Sequence, residues 1–194
     1  MPRLLRPLAG LAALLLAAPA FAQSGNPAVV TPGTPELAPG QPAPSTVNAA
    51  DRLFLQQAAI GGMTEVELAE LVLSRSHNTE VEAFADRMKA DHGQANAELK
   101  SIADAAGMKL PTTLDADHRA VRERLATISN QAFDLAYLQG QLVDHQKTVQ
   151  LLTYVIGSGQ DPMLKAFASK NLPIVLEHLH LVQELQTKLA GKAA

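Results

Sequence analysis

From about residue 48 to residue 190 the apolar side chains of this chain recur every three or four positions, with no strand-like alternation. A chain patterned this way buries its apolar faces by laying helix against helix, so the expected fold class is all-α. The first helical segment, about 49–75, places Phe54, Ala58, Gly61, Glu65, Leu68 and Val72 on one face. Gly61 and Gly62 in its middle each cost on the order of 1 kcal/mol relative to Ala, and Thr64 to Glu67 has the form of a capping box. Either the helix breaks and restarts there, or another helix approaches closely. The second helix starts after Asn78 and carries Val81, Phe84, Met88, His92, Ala95, Leu99 and Ile102. It ends near Ala106, with Gly107 as a left-handed terminator and Pro111 beyond. The third long helix, about 131–156, carries Leu138, Leu142, His145, Val149, Leu152 and Ile156 and stops at Gly157-Ser158-Gly159. The fourth opens on Asp161 and Pro162 and continues to about Leu189 through Phe167, Val175, His178, Val182 and Leu185, with a kink expected at Pro173. A short charged helix, about 116–128 after Asp115, lies in the stretch joining the second and third. That stretch is long enough to run the length of a helix of about 39 Å at 1.5 Å per residue. Two tight hairpins joined by one long crossover give a ferritin-like four-helix bundle.

Two segments and a tail stand outside that domain of 48–190. Residues 1–22 read as a secretory signal: Arg3 and Arg6, an apolar stretch from Leu8 to Ala18, and Ala20-Phe21-Ala22 as a cleavage site. Cleavage after Ala22 implies a periplasmic or secreted protein. Residues 23–47 carry Pro27, Pro32, Pro35, Pro39, Pro42 and Pro44 and almost no charge, the pattern of a disordered Pro-rich arm. Residues 191–194 are expected as a tail. No run reaches about 18 uninterrupted apolar residues, so no transmembrane helix is expected in the mature chain. The chain has no Cys, which excludes disulfides, thiolate metal sites, a cysteine nucleophile and an acylated lipoprotein cysteine. With only 4% aromatic residues, the core is expected to be aliphatic. A net charge of −3 without a basic block argues against a nucleic-acid partner. The partners left open are an envelope protein or a second copy of the chain.

Three histidines fall near the midpoints of three helices: His92, His145 and His178. Glu65 occupies the same height on the first. When the apolar face covers a third of a helix, three inward histidines arise by chance at roughly 1 in 27, so accident is disfavoured. One reading is a metal site of three imidazoles and a carboxylate, suited to one transition metal, zinc, iron, copper or manganese, with no other cofactor. Another is a buried polar network that fixes helix register. Asp91, Asp144 and Glu177 each precede a histidine by one position. Adjacent positions diverge by about 100°, so each carboxylate is better placed to hold the histidine of another helix from outside. A carboxylate-bridged di-iron centre needs a Glu-x-x-His on each of two helices; none is read in the pattern, so ferroxidase-type chemistry is disfavoured. Asp115-x-x-His118 sits on the charged crossover helix, and His77 and His180 are expected at the surface. Tyr137 and Phe133 read as packing residues, and Met63 and Met88 as core filling.

The run from Phe54 to Leu68, FLQQAAIGGMTEVEL, resembles the opening of the domain-of-unknown-function 4142 family. So do Phe84-Ala85-Asp86-Arg87-Met88 with Asp91-His92, Leu110-Pro111, Phe133-Asp134-Leu135-Ala136-Tyr137, Asp144-His145, and Leu172-Pro173 with Glu177-His178. The resemblance covers about 50–186. It implies an exported bacterial protein similar to the ferritin-like bundles, with no general activity established. The function expected is therefore a periplasmic binding or stress-related accessory protein with a mid-bundle metal site. The alternatives are an interaction scaffold and a divergent ferritin-like metallo-oxidase.

Overall fold

The computed structural model describes residues 47–192. Every regular element in that stretch is helical: α1 (Ala49–Arg75), α2 (Thr79–Ala105), α3 (Ala116–Thr127), α4 (Asn130–Ser158) and α5 (Pro162–Lys192). The leader expected at 1–22, the Pro-rich arm up to residue 46, and positions 193 and 194 lie outside the described residues. The helix ends fall where side chains can serve the unpaired backbone donors. Asn48 and Asp51 form a capping box on α1, Asn78 accepts from Glu80 and Val81 N–H, and Asp115 accepts from His118 N–H. Asp161 accepts from Met163 and Leu164 N–H at the start of α5. Gly107, at φ +67°, follows the end of α2 as expected.

Several boundaries and details differ from the sequence pattern. α4 continues through Gly157 and Ser158 before Gly159 N–H closes the last turn on Val155 O at 2.9 Å. α5 takes in two residues of the expected tail, and Pro173 lies inside it. α1 passes uninterrupted through Gly61-Gly62. Close approach is the reason at Gly62, because a Cβ there would stand 1.9 Å from Asn96 Oδ1 of α2. Thr64 caps nothing; its hydroxyl donates to Ile60 O at 2.8 Å within the same helix. The core is also less purely aliphatic than composition suggested, since Phe54, Phe84, Phe133, Phe167 and Tyr137 are all buried in it.

Around the bundle, α1 neighbours α2 and α4, and α5 neighbours α2 and α4. Two apolar clusters fix the helix directions. One joins the end of α1, the start of α2, the start of α4 and the end of α5 through Val72, Val81, Phe133 and Leu189. The other joins the opposite ends through Phe54, Ile102, Val155 and Leu164. Neighbouring long helices are therefore antiparallel. The crossover leaves the second cluster at Leu110 and reaches the first at Leu125, so it travels the length of the bundle. Arg75 fastens its far end, donating to Ala126 O and to Ile128 O, the latter at 2.7 Å, with its guanidinium 4.9 Å from the Phe133 ring centre.

Asp51 is fully buried and holds the opposite end. Besides capping α1, its carboxylate accepts Gln160 N–H at 3.2 Å and Asp161 N–H at 3.2 Å, tying the α4–α5 turn to the first turn of the bundle. Asp51→Ala removes a cap worth roughly 1 kcal/mol and strands buried N–H groups at about 1–3 kcal/mol. Urea unfolding should show a loss of about 2–4 kcal/mol, and Asp51→Asn, which keeps an acceptor oxygen, a smaller one.

Candidate metal centre

Between the two apolar clusters lies a polar layer. α1 contributes Glu65, α2 His92, α4 Gln141 and His145, and α5 His178. Gln141, His145 and His178 are at most 1% exposed and Glu65 is 6% exposed, while His92 is half-buried. Antiparallel helices of similar length bring their midpoints to one height, and there His92, His145 and His178 each offer a nitrogen within 4.8 Å of the others. The ring centres stand 5.4–5.7 Å apart.

The hydrogen bonds fix which nitrogens are bare. His145 Nδ1 lies 3.0 Å from Gln141 O, a carbonyl that can only accept, so Nδ1 carries the proton. His178 Nε2 lies 2.8 Å from Asp91 Oδ2, again an acceptor, so Nε2 carries that proton. In their neutral forms His145 Nε2 and His178 Nδ1 are then unprotonated, and they face each other at 3.4 Å. Burial holds the imidazoles neutral: it lowers His92 to about 3 and His145 to about 4, with neighbouring histidines adding repulsion. His178 is lowered by burial too, against the pull of Asp91. His92 Nε2 is buried without a hydrogen-bond partner among the described residues. Two imidazoles thus meet with no donor between them, and His92 stands beside the pair.

Outside the cluster the charges are ordered. Burial alone would raise Asp91, but hydrogen bonds from His178 and Arg87 outweigh it and keep its carboxyl below the ordinary value. Arg87 bridges Asp91, at 3.3 Å, to Glu177, at 2.8 Å. Of the three carboxylates that precede histidines, Asp91 therefore does hold the histidine of another helix. Glu177 acts one step further out through Arg87, and Asp144 pairs with Lys147 at the surface. Glu65, expected beside the histidines as a fourth ligand, stands on the opposite edge of the His145 ring, 3.9 Å from Nδ1. It accepts the Gln141 amide at 2.6 Å. Burial pushes its carboxyl up to about 8, with Gln141 opposing and Asp144 adding to the rise.

Gln141 and Arg87 went unrecognised in the sequence. Each lies four residues before the group it serves, Gln141 before His145 and Arg87 before Asp91, and that spacing was the available signal. The chain does contain one Glu-x-x-His, Glu177 to His180, but it faces outward: His180 is exposed beside Glu184 at 3.3 Å. His77 is exposed as expected, and His118 pairs with Asp115 at 2.7 Å. Tyr137 packs against Phe84 at 6.1 Å between ring centres, and its hydroxyl is buried with no hydrogen-bond partner among the described residues.

The model of the family described as Domain of unknown function (DUF4142) matches residues 36–185. Among solved structures, a DUF305 fragment from Deinococcus radiodurans superposes with a TM-score of 0.66 at 13% identity, covering 73% of this chain and 98% of that one. A DUF305 protein from Streptomyces coelicolor gives a TM-score of 0.63 at 16% identity, covering 73% of this chain and 92% of that one. These likenesses establish the helical fold. No curated protein matches the sequence.

The metal-free layer should make stability depend on pH in two opposed ways. Below about 6.5 the unfolded histidines take up protons while native His145 and His92 stay neutral to about 4 and 3, so stability falls with acid. Above about 4.5 the unfolded Glu65 loses its proton while the native one keeps it to about 8, so stability falls as pH rises to 8. Urea unfolding of the metal-free protein should therefore peak near pH 6.5–7. Glu65→Gln should abolish the alkaline decline and exceed wild type at pH 8 by on the order of a few kcal/mol. An unchanged alkaline limb would show that Glu65 ionises in place.

Proposed function

We propose, for a chain that belongs to the Domain of unknown function (DUF4142) family, that the bundle is an exported, periplasmic accessory protein binding one transition-metal ion through His92, His145 and His178. The observation that carries this is the pair of bare nitrogens on His145 and His178, 3.4 Å apart. Two ligands at 2.0–2.1 Å from one tetrahedral ion lie about 3.3–3.4 Å from each other. The same separation without an ion sets two lone pairs against one another. His92 offers the third nitrogen, within 4.8 Å of the other two. Asp91, accepting from the far nitrogen of His178, is the outer carboxylate that such histidines use to fix their tautomer, and Gln141 O does the same for His145. Neutral imidazole donors suit zinc and copper(II) best among the expected metals. Bound there, the ion would supply Lewis acidity in a water-poor interior. Export rests on the leader-like residues 1–22, and a stress-related role fits a metal-holding envelope protein.

A scaffold reading has one observation in its favour: the Gln141–Glu65 and His178–Asp91 hydrogen bonds already cross-link the helices without an ion. An oxidase of the di-iron type has none, because the one Glu-x-x-His faces solvent.

Protein purified without an affinity tag should contain close to one equivalent of metal. Zinc or copper added to stripped protein should raise the melting temperature, by an amount corresponding to about 2.7 kcal/mol at a hundredfold excess over Kd. His178→Gln should lose that rise. Unchanged melting and no bound metal would leave the scaffold reading standing. Asp91→Asn should still bind, with affinity about 10–100-fold weaker, as read by competition with a chromophoric chelator.

A further inference from the structure

A cavity of about 390 Å³ opens beside the histidine cluster. It borders His92 and Glu65 but neither His145 nor His178, so it meets the cluster from one side. Its inner walls are Phe54, Leu99, Leu152, Phe167 and Val175, and its mouth lies at Gln57, His118 and Lys147. Three protein ligands leave a tetrahedral ion one open position. Three imidazoles contribute no charge, so a divalent ion brings two positive charges into the bundle interior, where uncompensated charge is costly. Asp91 is engaged with His178 and Arg87 and Glu65 with Gln141, while Asp115 and Asp144, which also border the cavity, are paired with His118 and Lys147. With these acids committed to partners of their own, an anion arriving through the cavity adds compensation at the open position itself. A hydroxide would use none of the apolar wall, whereas an anion with an aliphatic tail would use both ends.

We propose that this cavity binds a short-chain aliphatic monocarboxylate. Its carboxylate occupies the open position on the ion, and its tail lies among Phe54, Leu99, Leu152, Phe167 and Val175. The proposal rests on the metal reading above. The bound anion makes the site a sensor or carrier of small organic acids, with the ion as the anchoring charge.

Gly61 offers a clean way to close the pocket. It borders the cavity, and a Cβ built there meets nothing within 4 Å. Leucine at that helical position also improves helix propensity, so the bundle should fold.

The test uses the full chain loaded with cobalt(II), whose visible absorption reports the ligands on the ion. Acetate, butyrate and hexanoate are titrated in turn. Each should shift the cobalt bands, with affinity rising about fourfold per added methylene until the cavity is filled. Gly61→Leu should keep the cobalt bands, weaken hexanoate at least tenfold and abolish the dependence on chain length. Cobalt bands that ignore all three acids, that respond equally to all three, or that respond in Gly61→Leu as in wild type would overturn this proposal alone. The absence of cobalt bands in the unsubstituted protein would overturn the metal reading, and this one with it.

Discussion

A buried polar layer between two apolar cores sets the register of all four long helices. Each core is closed by Leu, Val and Phe side chains, and it meets the layer at points such as the edge-on contact of Phe84 with the His178 ring, 6.4 Å between centres. A helix displaced by one turn, 5.4 Å, would carry His145 or His178 into an apolar cluster and leave its polar partners unpaired. An unpaired buried polar group costs roughly 1–3 kcal/mol, and several would be unpaired at once. The layer therefore selects one alignment from those that aliphatic packing alone would accept. The long crossover and the Asp51 anchor act at the two ends, but the middle carries the alignment.

A directed chain of side chains connects the layer to solvent. Glu177 is exposed, Arg87 and Asp91 are partly exposed, and His178 is buried. As surface ion pairs the outer links contribute little stability, with a median of about 0–1 kcal/mol. Their effect is on geometry: Arg87 keeps Asp91 ionised and aimed, and Asp91 keeps the proton of His178 on the outward nitrogen. The inward nitrogen is left with its lone pair free. On the other side of the layer Gln141 acts twice, its carbonyl fixing the proton of His145 and its amide engaging Glu65. Both imidazoles are thus oriented by acceptors lying outside the cluster, and neither can relieve the other by donating.

Much of this was legible in the sequence because helix periodicity is a strong signal and the punctuation was unambiguous. Asn78, Gly107, Asp115 and Pro162 all mark real ends. The three histidines could be placed because midpoints of antiparallel helices of similar length coincide. The phase of α4 was harder to read. A stripe through Leu138, Leu142 and Val149 reaches His145 correctly, yet the buried edge runs through Asp134, Tyr137, Leu138 and Gln141. Two of those are polar, and an apolar template discards them. Glu65 was placed at the right height but on the wrong edge of His145, since periodicity gives a face and a level and says nothing of ring orientation. Gly62 could be read as a break or as a contact, and only the position of Asn96 decides between them.

What distinguishes this interior from a carboxylate-bridged pair of irons is the direction in which its acids face. Such a pair needs several carboxylates turned inward, whose negative charge balances two ions and whose oxygens bridge them. Here Asp91, Asp144 and Glu177 each sit about 100° round the helix from an inward histidine, which places all three toward the flanks. Within the polar layer Glu65 does face inward, and it is buried deeply enough to hold its proton to about 8. The layer is therefore neutral and rich in nitrogen, without the inward carboxylate oxygens that a pair of irons needs. The cavity reaches this layer from the side of His92 and Glu65, so a group entering from solvent meets those two residues before His145 or His178.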